Sequence, residues 1–425
     1  MDLLPRNIKA NMNRLAKSKD GKVLLKNFSY LSILEMTIHL FPLITTPYLA
    51  RVLGVEGFGV LAIGTAVIAY FQSLTNYGFV YTSVRDAARC RDDVGAFSKV
   101  VCNTLYAKIL LMSISLILIA IGTITIPFFK ENAAVIWCTA LLLPGHVLNP
   151  DWIFQAIEDM KYITVRNLIA KTLFTILIFV FIKTPGDFLW QPILFALGML
   201  VPSVCGLIVL HKKYGLKIVI TPIKEPVRQI VNGFNMFITV FLPTVYTNLN
   251  VLLLGAYNGK SATGVYSGGT KFTSIAYSLF QLLSRTVFPY FSRKMDAHKV
   301  YVKFSLALSF VISLTIFFFA RPLVLLFLGS GFESTTNVLR IVAFTPIAMS
   351  LMNSYGVNYL VLKGKEKLMR NIIIFVTTFG VTIGAIGAIY YSFIGVAFAS
   401  LITQFLRAGL ITYYAKKTSQ NEKSI

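Results

Sequence analysis

Acidic side chains are scarce in this chain: 17 Asp and Glu stand against 40 Lys and Arg, a formal net charge of +23 over 425 residues. Charged residues of both signs make up 13%, against roughly 25% in soluble domains. Cysteines are few, and Cys90, Cys102, Cys138 and Cys205 have no paired or metal-ligand spacing. Packed, reduced thiols are therefore expected, without a disulfide framework. The four histidines, His39, His146, His211 and His298, are scattered and provide no metal site. There is no Gly-x-x-x-x-Gly-Lys-Ser/Thr phosphate loop and no Gly-x-Ser-x-Gly nucleophile turn. These absences argue against an ATPase, a hydrolase and any other enzyme, and no cofactor is expected. The start of the chain also lacks the long apolar run and small-residue cleavage site of a signal peptide.

What is abundant is apolar sequence. Hydrophobic residues make up 56% of the chain and the mean hydropathy is +0.71. Runs of about 20 apolar residues, each long enough to cross roughly 30 Å of hydrocarbon, recur from end to end. Twelve spans are expected, at 28–50, 58–80, 103–126, 133–154, 164–182, 188–210, 233–255, 262–290, 302–328, 336–362, 369–391 and 393–415. Polar residues interrupt the fourth, eighth and tenth, a trait of segments that line a pore. The fold class is thus an all-α polytopic membrane protein.

The excess of positive charge encodes orientation. Taking alternate connections as cytoplasmic, 29 of the 40 basic residues fall there, in the 1–26 arm, in the inner loops and in the 416–425 tail. Only Arg51, Lys130, Lys183, Lys260 and Arg321 fall in the opposite connections. This positive-inside asymmetry places both termini in the cytoplasm, and no nucleic-acid partner is expected. Residues 1–26 alternate basic and apolar positions, which suits either a helix lying on anionic headgroups or a solvated arm.

The longest inner connection, 211–232, divides the chain into halves of six spans, 27–210 and 233–415. The halves echo one another. Pro42 precedes Gly54 by twelve residues and Pro243 precedes Gly255 by twelve, while Gly59-Val60 and Gly64-Thr65 match Gly264-Val265 and Gly269-Thr270. A four-residue difference in the turn accompanies this alignment. Because six spans return the chain to its starting side, the halves form a parallel repeat about an axis along the membrane normal. Such repeats place a substrate site between the two bundles.

Several polar groups fall inside spans. Glu35 and His39 share a helical face and are candidates for ion coupling, against the alternative of a structural hydrogen-bonded pair. Lys271 sits near the middle of the eighth span and Arg407 deep in the twelfth, both suited to an anionic substrate. Arg51 is an interface anchor or a further anion contact. Lys108, Lys171, Arg285 and Arg340 lie within two turns of span ends, so their ammonium or guanidinium groups are expected to snorkel to water. The seventh span is polar along its length, with Asn235, Thr239, Thr244, Thr247, Asn248 and Asn250 among its residues. With Tyr70, Asn76 and Tyr77 of the second span, these groups suit sugar hydroxyls; helix–helix hydrogen bonding is the competing account.

Several motifs carry a resemblance. Pro47-Tyr48-Leu49-Ala50-Arg51-Val52-Leu53-Gly54, then Gly57-Phe58-Gly59, together with Asn149-Pro150-Asp151-Trp152-Ile153-Phe154-Gln155-Ala156 and Glu158-Asp159-Met160, resemble Wzx-type polysaccharide flippases. Gly264-Val265-Tyr266 through Lys271 and Phe288-Pro289-Tyr290 match the corresponding second-half segment. Glu35, at a neutral polar position of that family, and Ala156, at a glycine, depart from the pattern. The resemblance covers the chain after residue 22 and implies membership of the multidrug, oligosaccharidyl-lipid and polysaccharide exporter superfamily. It implies two six-helix lobes in a V around a central cavity, in a bacterial inner membrane. The implied substrate is a polyprenyl-diphosphate-linked oligosaccharide for O-antigen or capsule assembly, with Arg51 and Lys271 matching family basic positions. Membrane lipid, a glycan polymerase and a chain-length regulator are the further partners implied. A cation-coupled multidrug exporter is the main alternative, although embedded charges here are mostly basic; a membrane glycan polymerase or glycosyltransferase would need larger outer loops.

Overall fold

The computed structural model describes residues 19–291 and 298–421; the side chains of Glu35, His39, Asn235, Pro243 and Arg285 lie outside this description. Among the described residues every regular element is helical. Eight helical stretches are long and apolar enough to cross a membrane, among them Phe41–Asn76, Val94–Thr125, Met160–Phe181, Pro185–Tyr214 and His298–Phe318. The last of the eight, Lys367–Gln420, is 54 residues long. At the helical rise this amounts to about 80 Å, enough for two crossings. The chain is a multi-pass membrane protein.

Three helical stretches each contain a single non-helical residue. Lys19–Asn76 breaks at Gly54, with φ 68° and ψ −176°. Lys224–Phe291 breaks at Gly259, with φ 82° and ψ −179°. Glu366–Asn421 breaks at Ser392, with φ 53°. The first two conformations are nearly identical, and only glycine adopts them without strain. The breaks of the first two stretches therefore sit at glycines, while the first helix continues through Pro42 and Pro47.

This corrects the sequence alignment of the halves. The partner of Gly54 is Gly259, since Gly255 lies inside the helix. Gly54 to Gly259, Gly59 to Gly264 and Gly64 to Gly269 are then all separated by 205 residues, and the four-residue slippage in the turn disappears. The extra helical turn lies before the break, between Pro243 and Gly259. The matched glycines also meet. A Cβ at Gly59 would collide with the Lys260 carbonyl, and a Cβ at Gly264 with the Val55 carbonyl. Val55 and Lys260 are themselves 205 apart, so each contact is the two-fold image of the other.

The fourth-span region is segmented as Ala133–Ala140, Leu142–Leu148 and Asp151–Ala156. Its counterpart runs as Thr335–Val342, Thr345–Leu351 and a π-helical turn, Met352–Val361. The buried core is divided among clusters. One packs Leu49, Leu53, Ile68 and Ile136 against Phe174 and Ile182. Another packs Leu254, Tyr266 and Phe332 with Val338, Val342 and Val396, and takes Ala50 and Phe58 from the first long helix.

Candidate functional site: a polar cleft between the first two long helices

Lys19–Asn76 and Lys224–Phe291 pack on each other, and between them lies a cleft of about 420 Å³. Ala69, Gln72, Ser73 and Asn76 form one wall, and Thr244, Thr247 and Asn248 the other. Spacing explains the first wall: 69, 72, 73 and 76 recur at three and four residues and so share one helical face. Among the described residues the polar lining is hydroxyl and amide, without a carboxylate or cation, and suits ligands rich in hydroxyl groups. Asn248 is oriented by donating from Nδ2 to the Thr244 carbonyl at 2.9 Å. Tyr70 ties the two helices together by donating its hydroxyl to the Val245 carbonyl at 2.9 Å, with its ring against Phe241.

Thr247 also lines a second, smaller cavity of about 50 Å³, together with Ile373, Val376, Thr377, Thr403, Gln404 and Arg407. Arg407 thus stands one residue away from the cleft wall. The structure brings together Asn76, Asn248 and, through Thr247, Arg407. Other candidates lie elsewhere. Tyr77 is buried and stacks on Phe237 at 4.5 Å with rings nearly parallel, so its ring packs the contact between the two helices and does not line the cleft. Arg51 donates to the Leu326 carbonyl, at the C-terminal end of the short helix Ala320–Phe327. Lys271 is exposed on the helical face opposite buried Thr273, Ala276 and Phe280, and no acid pairs with it among the described residues. The side chains of Asn235, Glu35 and His39 lie outside the described residues.

A polar cluster that the sequence reading did not assemble lies in the first half. Asn149 and Asp151 flank Pro150 at the turn into Asp151–Ala156. Arg166 pairs with the Asp151 carboxylate and donates to Asn149 Oδ1 at 2.9 Å, while Asn149 Nδ2 donates to Asp151 Oδ2 at 3.0 Å. Gly206 lets this turn approach the neighbouring helix, since a Cβ there would meet Pro150 at 2.6 Å and Arg166 Nη1 at 2.7 Å. Lys108 belongs to the same region: it is 2% exposed, with Nζ 6.0 Å from the Trp152 ring. The expectation that Lys108 snorkels to water is therefore wrong. The helix runs over Val94–Thr125, so Lys108 lies well inside it and not within two turns of an end, and the nearby Trp152 was not visible in sequence. Trp152, Ile153 and Phe154 of the same motif are buried under Phe97 and Val101. The motif is thus an anchor of the first half, with an ion pair at its head.

The polysaccharide biosynthesis protein family profile matches residues 24–295. The "Putative O-antigen transporter" of Escherichia coli (strain K12) is 27% identical over 360 residues, covering 83% of this chain and 86% of that protein. A protein of the same name from Shigella dysenteriae is 26% identical over 376 residues, covering 87% and 92%. Among solved structures, an inward-facing multidrug resistance MATE transporter of the MOP superfamily aligns with TM-score 0.70 at 17% identity, covering 94% of this chain and 99% of that one. The lipid II flippase MurJ in an inward closed conformation aligns with TM-score 0.62 at 15% identity, covering 89% and 87%. These two likenesses show the fold. The chain is a membrane transporter, and it belongs to the polysaccharide biosynthesis protein family.

Proposed function

We propose that the protein flips a polyprenyl-diphosphate-linked oligosaccharide repeat from the cytoplasmic to the periplasmic leaflet of a bacterial inner membrane. The observation that carries this reading is the neutral, hydroxyl- and amide-lined cleft between the first two long helices, joined through Thr247 to a cavity holding Arg407. Sugar hydroxyls suit the cleft, and a diphosphate suits Arg407 and Lys271. Family membership and the O-antigen transporter name of its relatives support the same substrate class. In this reading the chain crosses twelve times, with both termini cytoplasmic. Lobes 27–210 and 233–415, joined by 211–232, rock about the cleft in alternating access, driven by an ion gradient through Glu35 and His39. A multidrug exporter fits less well, because among the described residues no carboxylate lines either cavity to receive a cationic drug. The direct test is complementation of a flippase-null strain. Lys271→Ala is expected to abolish surface glycan while leaving membrane abundance unchanged, and normal glycan would show that Lys271, which lies outside the cleft, does not hold the diphosphate.

A further inference from the structure

The connection 215–223, between the helices Trp190–Tyr214 and Lys224–Phe291, is pinned to the helix Val94–Thr125. Gly215 ends the first of these helices in the left-handed region, with φ 67°, and the next side chain, Leu216, is buried. The Lys217 amide then donates to Ser98 Oγ at 3.0 Å, and the Val219 amide to Cys102 Sγ at 3.3 Å. With the backbone held at these points, isoleucines turn outward. Ile218 is 85% exposed and Ile220 90%, and Ile223 follows at 62%. Exposed isoleucines so close together mark a surface that meets another phase or molecule.

The flanking helices indicate which. Leu197, Val201, Val204 and Ile208 are exposed at helical spacing, so Trp190–Tyr214 carries one outward apolar stripe. Ile223, Val227, Val231 and Phe234 form a similar stripe across the start of Lys224–Phe291. On a membrane-spanning chain such stripes face lipid tails. Charge then fixes the depth. Lys212, Lys213, Lys217, Lys224 and Arg228 are interleaved with the apolar residues, and Glu225 is the one acid in 211–232. Lys213 is committed to the Tyr162 and Tyr214 hydroxyls at 3.0 and 3.2 Å, and Arg228 to Glu225 at 2.7 Å. Lys212, Lys217 and Lys224 are exposed and have no ion pair among the described residues. Basic residues alone would record only orientation. Isoleucines exposed between free lysines describe a segment lying in the headgroup layer.

We infer that the connection 215–223 lies in the membrane interface, with Ile218, Ile220 and Ile223 among acyl chains and Lys212, Lys217 and Lys224 on the phosphates of anionic phospholipids. Charge selects that lipid, since zwitterionic headgroups do not neutralise three unpaired cations. The contact holds the joint between the two proposed lobes at the bilayer surface. Its assignment to the cytoplasmic leaflet rests on the topology proposed above.

The test places a fluorophore on Ile220→Cys in the full-length protein. Cys90, Cys138 and Cys205 are changed to alanine and Cys102 to serine, which keeps an acceptor for the Val219 amide. In phosphatidylcholine nanodiscs, brominated phosphatidylglycerol is compared with brominated phosphatidylcholine at equal mole fractions. Both are expected to quench the label, with phosphatidylglycerol favoured. Its relative binding constant is expected to fall by about fivefold with each of Lys212→Gln, Lys217→Gln and Lys224→Gln at low salt, and towards unity at high salt. If Ile220→Cys does not fold, a label on Ile218→Cys gives the same reading. Equal quenching by the two lipids before any lysine is changed would overturn the anionic partner. Quenching by neither, as when the segment faces water or another protein, would overturn the interfacial location. Both leaflets of a nanodisc carry the same lipids, so neither outcome depends on the topology or on the transported substrate.

Discussion

The Asp151–Arg166 pair is half-shielded, with side chains 26% and 13% exposed, and it holds the turn between two segmented helices to the helices at 160–181 and 190–214. Removing one partner leaves the other charge uncompensated in low dielectric. Asp151→Ala is therefore expected to cost about 3 kcal/mol, visible as a lower Tm in detergent. The double variant Asp151→Leu with Arg166→Met should recover much of the loss, since a buried ion pair is often replaceable by apolar packing. Glu35 offers a different kind of test. If its carboxyl couples protons to transport, Glu35→Gln shifts the pH optimum of glycan transport in vesicles, whereas an unchanged profile leaves it a structural residue. Individual side chains were unevenly legible in sequence. Asn76 and Asn248 could be singled out because amides inside an apolar run are conspicuous. Lys108 was misjudged because burial depends on Trp152, which is 44 residues away along the chain and adjacent only in the fold.

At the level of elements, the two helices that follow the glycine breaks cross where Gly59 faces the Lys260 carbonyl and Gly264 faces the Val55 carbonyl. Backbone cannot retreat as a flexible side chain can, so a single methyl forces the helices apart. Gly59→Ala and Gly264→Ala are each expected to lower Tm and transport to a similar degree, because they sit at matched places in the repeat. The double variant should cost less than the sum, as the first methyl already opens the shared contact. Strict additivity would argue against a common crossing point. Span existence was readable from apolar length, and the repeat from spaced glycines. The position of the break was not. Gly54, Gly255 and Gly259 are chemically identical, and only the torsion of the folded backbone tells which one departs from the helix.

For the whole molecule, the cleft makes relative movement of its walls measurable. Gln72 and Thr247 face it from opposite helices. After replacement of the four native cysteines, which are free thiols in the structure, Gln72→Cys with Thr247→Cys offers a pair for short thiol cross-linkers. Cross-linking is expected to stop glycan transport, with recovery on cleavage of the linker; transport through the cross-linked protein would remove the need for the walls to separate. The class of protein and its membrane character were evident in composition. The cleft was not, because it forms between residues about 170 positions apart. The reciprocal glycine contact has a further consequence. Two patches related by a two-fold operation form an isologous interface, the kind that joins identical subunits in a homodimer. The crossing of Gly59 and Gly264 thus has the form of a subunit interface retained within one polypeptide.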